Sequence, residues 1–272
     1  MMKKIVLLST ILALVIGLAG CEKLKARDSL NKGVQAFKNA KYPEAVELFK
    51  TSVDLDPNFT TGRLYLAMAY MSQYIPGADS PENNKMSDAA FSEFKKVLEQ
   101  DPKNTTALAS IASLFFNQKK FEEAKDWYGK LIAVDEKNKE AYYTLGVIAW
   151  TKVFQVRMDA RAKLGMKPED PGPLKKKDVR EAVSEKNLPI VEDGIKNLTK
   201  ALEIDPKYDD AMAYLNLLHR ERADLAADTE SYKKDIEAAD NWVQKTLETK
   251  KIKQAEAEKK AAAGGITTEA PK

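Results

Sequence analysis

The chain has 272 residues, a formal charge of +3, and charged side chains of both signs over 31% of its positions. Its single cysteine excludes an internal disulfide, and one Cys with one His is too few for the usual zinc ligand sets. No block of like charge forms a nucleic-acid arm, so nucleic acid is not an expected partner. The first element is a targeting segment. Lys3 and Lys4 precede a run from Ile5 to Leu18 that is apolar except at Ser9, Thr10 and Gly17. The run falls short of the roughly 20 apolar residues that a membrane-spanning helix needs. It suits the apolar centre of a secretory signal, which is removed from the mature protein.

The run closes on Leu18-Ala19-Gly20-Cys21. This tetrapeptide resembles the bacterial lipobox. The resemblance implies that residues 1–20 are cleaved and that Cys21 carries a diacylglycerol thioether. Residues 21–26 are then a lipidated N-terminus with a short tether. It further implies a protein of the bacterial cell envelope, anchored by lipid and facing the periplasm, since two acyl chains suffice for stable attachment. Glu22 stands where some lipoproteins kept at the inner membrane carry Asp, so the outer membrane is the preferred site.

Beyond residue 27 the sequence repeats itself. Val53-Asp54-Leu55-Asp56-Pro57, Leu98-Glu99-Gln100-Asp101-Pro102, Ile132-Ala133-Val134-Asp135-Glu136 and Leu202-Glu203-Ile204-Asp205-Pro206 each close one amphipathic stretch and precede another. The stretches before them hold Ala45 with Phe49, Ala90 with Phe94, Ala124 with Tyr128, and Gly194 with Leu198. Those after them hold Leu66-Ala67 with Tyr70, Ile111-Ala112 with Phe115, and Leu145-Gly146 with Ala149. Small residues let two helices approach closely, and the residue before proline is pushed out of helical geometry. The pattern resembles the tetratricopeptide repeat (TPR), a helix pair of about 34 residues. The resemblance implies an all-α, TPR-like solenoid of about five helix pairs over residues 27–248. A single pair cannot bury its apolar face alone, so pairs must stack.

Two spacings depart from the period and predict insertions at about 73–85 and 157–189. In the longer one, residues 159–164 extend the preceding helix and Gly165 ends it. Residues 167–173 hold three prolines and a glycine and should be irregular. A short helix is expected from Asp178 to Lys186, N-capped by Asp178. Its Val179 and Val183 should dock near Phe116, Tyr143 and Trp150 or on a partner. The last pair acts as a polar cap, and residues 249–272 read as a frayed helix and disordered tail.

Catalytic signatures, phosphate loops and metal-ligand clusters are missing, so no enzyme activity, catalytic residue, metal or cofactor is expected. His219 reads as a packed histidine. Function is expected on the concave face. The resemblance places Leu64, Met68, Met71, Phe116, Asn117, Tyr143, Val147, Trp150 and Arg220 there as partner-binding residues, along with Leu30, Val34 and Glu221. Leu30 and Val34 occupy positions where a known chaperone-tail clamp needs Lys and Asn, so that clamp is absent. The remaining face is rich in aromatics and Met, which suit an amphipathic helix or apolar peptide, unless the insertion or the superhelix covers it. The expected role is a protein-protein interaction scaffold for envelope proteins or peptides, in envelope or outer-membrane complex assembly. The competing role is a carrier of an apolar peptide or lipid in the groove.

Overall fold

A computed structural model describes residues 21–264; the expected signal peptide and the residues after 264 lie outside them. The described residues form ten helices in two compact units, divided between Val134 and Asp135. The first unit holds α1 (residues 21–38), α2 (Tyr42–Leu55), α3 (Thr60–Met71), α4 (Pro81–Gln100), α5 (Thr105–Asn117) and α6 (Phe121–Val134). The second holds α7 (Lys139–Lys163), α8 (Lys177–Ile204), α9 (Asp209–Asp224) and α10 (Thr229–Gly264). Five consecutive helix pairs result, as the repeat pattern requires. None of the described helices is long and apolar enough to cross a membrane.

The small positions of the pattern work by close approach. A Cβ added at Gly146 would lie 2.4 Å from Leu198, and one at Gly33 would lie 2.5 Å from the Phe49 ring. The fully buried Ala45, Ala67, Ala90, Ala107 and Ala124 hold equivalent contacts, while Phe49, Phe94 and Leu198 fill the space between helices. The turns between pairs depend on Asp more than on Pro. Asp101 accepts from the Asn104 side chain, and Asn104 accepts from the Ala107 N–H to cap α5 (3.0 Å each). Asp135 and Asn138 repeat this geometry ahead of α7, also at 3.0 Å, although Glu136 replaces the proline. Each Asp also accepts a backbone N–H two residues on, and side-chain oxygens that satisfy orphan amides define a helix start.

The long insertion is organised differently from the sequence expectation. α7 does run to Lys163, and Gly165 does follow in the left-handed region with φ +63°. No separate short helix follows, however. α8 starts at Lys177 after an uncapped Lys176, and continues through Pro189 to Ile204. Proline removes one backbone donor, but the helix is held on both sides of it. Val179, Val183 and Leu188 pack on a cluster of Ala160, Met166, Leu174 and Leu225, and Val191 enters the main core of the unit. The extra residues thus lengthen both helices of one pair and add the loop of residues 164–176 at its tip. They dock on the ends of α7 and α9, a correction to the expected docking near Tyr143 and Trp150.

The C-terminal helix α10 continues past Glu248 to Gly264. Thr249 is buried, Lys253 pairs with Asp209, and Lys207 reaches Glu256 at 2.6 Å. Ion pairs thus link this part of the helix to the turn before α9 and to the start of α9, and residues 250–261 are exposed.

Candidate functional site

One face of the second unit carries an aromatic row. Tyr143 of α7 lies 5.1 Å from Tyr208 and 5.6 Å from Tyr214, ring centre to ring centre. Trp150 lies 5.6 Å from Tyr214 and 4.9 Å from Phe154. Tyr143, Trp150 and Phe154 recur at spacings of seven and four along α7, which puts them on one stripe. Tyr208 precedes α9 and Tyr214 stands on it, so α9 supplies the intervening rings. Cations flank both ends. Lys139 stands 4.9 Å from the Tyr208 ring centre and pairs with Asp205 at 2.6 Å; Arg157 stands 5.7 Å from Phe154. All five rings are half-buried, and Tyr143, Trp150, Tyr208 and Tyr214 pack against the core of the unit.

Burial pushes the Tyr143 hydroxyl up to about 12, with the neighbouring Tyr214 and Asp210 adding to the shift. Burial raises Tyr208 and Tyr214 as well. Like any tyrosine, the three carry neutral phenols at neutral pH and can donate hydrogen bonds. Aromatic bodies with polar tips are the side chains that dominate protein interfaces.

Beyond Phe154 the row meets a buried ion network. Arg157 donates to Glu221 at 2.7 Å and to Asp224 at 2.9 Å. Arg161 donates to both Asp224 oxygens at 2.8 Å and to the Lys167 and Asp170 carbonyls. Glu221 is 1% exposed, and one of its oxygens has no partner. Burial raises its pKa against the pull of Arg157. The network pins the proline-rich loop, whose Leu174 N–H also bonds to the Asp224 carbonyl at 3.0 Å.

Residues 84–146 match the family model for the tetratricopeptide repeat. Over that stretch, from α4 into α7, the helices are similar to tetratricopeptide repeats. Among solved structures, the chain is similar to a crystal structure of MamA protein, at 16% identity and TM-score 0.56, covering 91% of this chain and 98% of that one. It is also similar to MamA from Desulfovibrio magneticus RS-1, at 17% identity and TM-score 0.55, covering 84% and 96%. At such identities the likeness concerns the fold alone. No curated protein matches the chain in sequence.

The expected partner-binding residues are not brought together in one place. Tyr143 and Trp150 lie in the aromatic row. Arg220 is half-buried and tied to Asn216 and to Asp240 of α10, at 2.9 and 2.6 Å. Leu64, Met68 and Met71 of the first unit are half-buried against the core of α3, α4 and α5. Phe116 rests 6.0 Å from the Phe121 ring, and Asn117 lines a polar cleft of about 500 Å³ with Tyr74, Asp79 and Ser87. Val147 is a correction: it is buried, at 8% exposure. Leu30 is likewise in the core, and Glu221 belongs to the ion network.

Sequence reasoning missed Tyr208, Tyr214, Phe154 and Arg157. The spacing of Tyr143, Trp150 and Phe154 on one helix could have found Phe154. His219 is packed, with Nδ1 3.0 Å from Asp235 Oδ1, and Arg222 grips the same carboxylate. Burial pushes Asp235 up, but these hydrogen bonds outweigh it and hold the pKa below its ordinary value. The contact between α9 and α10 therefore gains stability from ionised Asp235 above pH ~4 and loses it as pH falls through the lowered value. Asp235→Asn should flatten this acid limb in thermal melts recorded from pH 6 to pH 2.5. An unchanged limb would assign acid sensitivity to other carboxylates.

Proposed function

We propose that this TPR protein is a lipid-anchored scaffold of the bacterial envelope that holds protein partners through the aromatic row of its second unit. The repeat fold supplies the scaffold character, since stacked helix pairs create extended binding faces. The row of Tyr143, Tyr208, Tyr214, Trp150 and Phe154 carries the reading. It offers a line of half-open rings with neutral hydroxyl donors, matched to an amphipathic helix or an extended peptide. Anchoring is supported by Leu18-Ala19-Gly20-Cys21 after an apolar run, and by an exposed Cys21 in the described residues. An envelope-assembly role facing the periplasm, preferably at the outer membrane, fits such an anchor. No catalytic step is proposed for any residue.

Anchoring is tested by metabolic labelling with an alkyne fatty acid. The wild type should be labelled, and Cys21→Ser should be unlabelled and retain its signal segment. Equal labelling of both would contradict the lipoprotein reading.

A further inference from the structure

The end of the first unit that carries Cys21 is helical and tied to the core. α1 is helical from residue 21, and Ala26 in its second turn is already fully buried. The Ala26 carbonyl accepts from Ser52 Oγ at 2.7 Å, which ties this turn to the last turn of α2. Five helical residues, about 8 Å of axis, separate the sulfur from the fixed core. The expected short tether is thus the first turn of α1, which the core holds in place.

That first turn has a composition suited to a bilayer interface. Leu24 is 67% exposed, more than any other large hydrophobic side chain among the described residues. A lone exposed leucine is ordinary, but this one stands one helical turn from Cys21 and on its face. Lys23, Lys25 and Arg27 are exposed on the same two turns and outnumber the exposed Glu22 and Asp28. Long cationic side chains lay their stems along apolar surface and keep their charge in the polar layer.

We propose that this end of the first unit rests directly on the bilayer. The acyl chains on Cys21 enter the membrane, Leu24 enters the interface beside them, and Lys23 and Lys25 meet lipid phosphates. The proposal rests on the reading of Cys21 as acylated. It adds that the unit is seated on the membrane in one orientation and does not swing on a leash.

The test uses the acylated full-length protein in phosphatidylcholine vesicles that contain a lipid with a nitroxide headgroup. Acylation blocks the sole native thiol, so an introduced cysteine takes a fluorophore alone. Leu24→Cys should be strongly quenched. Asn39→Cys, at the far end of α1 and about 22 Å along its axis, should be quenched several-fold less. A twelve-residue Gly-Ser segment inserted between Glu22 and Lys23 should relieve quenching at position 24 while the protein stays bound. A labelled, bound protein with position 24 unquenched, or with positions 24 and 39 quenched alike, overturns the seating and leaves the anchor intact. A protein without fatty acid on Cys21 overturns both.

Discussion

Arg161→Ala is expected to destabilise the second unit by about 3–5 kcal/mol, the usual cost of breaking a buried ion pair by removing one partner. Arg161 is 2% exposed, and its guanidinium holds Asp224 and the Lys167 and Asp170 carbonyls together. Its loss leaves Asp224, itself 3% exposed, with one cation in place of two. The loop carbonyls lose their charged donor at the same time. Denaturant melts would show the loss, and limited proteolysis should cut first within residues 164–176. Arg161→Lys should not rescue, because one ammonium cannot span the carboxylate and both carbonyls as the planar fork does. A melt shifted by less than ~1 kcal/mol would mean that the apolar contacts of Met166 and Leu174 hold the loop without the ions.

Ala124→Arg is expected to damage the first unit on a similar scale, about 3 kcal/mol or more, by forcing an unpaired charge against packed helices. Ala124 is fully buried on α6, which packs along α5. Its Cβ occupies the small position that lets the two helices approach. A circular dichroism melt that does not respond to Ala124→Arg would show that this face of α6 is open. Ala133→Arg, on the exposed side of the same helix, provides the control and should be neutral.

Much of the fold was legible because its rules are local. The Asp at each turn and the small residues at Ala45, Ala90, Ala124 and Gly194 mark five helix pairs without reference to anything distant. Legibility failed where packing overrode a local signal. Pro189 read as a boundary, yet Val183, Leu188 and Val191 bury on either side of it and keep α8 whole. The pairing of Lys253 and Lys207 with carboxylates across the α9–α10 contact was not legible, because it joins residues far apart in sequence.

The candidate site was legible in part for the same reason. Tyr143 and Trp150 follow from helical spacing, but Val147 between them does not belong to the row. Tyr208 sits in a turn, outside any helical register. Arg157 and Arg161 look like solvated charges in a chain so rich in them. Only folding brings Glu221 and Asp224 of α9 to face them.

The central claim is that the aromatic row holds a protein partner at a membrane. A photo-crosslinking residue placed at Trp150 in the native, membrane-bound protein tests it most directly. The account predicts adducts of one or a few defined polypeptide masses that disappear with Tyr143→Ala and Tyr214→Ala and are absent from an exposed control position such as Glu230. Adducts to lipid alone, or polypeptide adducts that persist unchanged in the Tyr143→Ala and Tyr214→Ala variants, would contradict it.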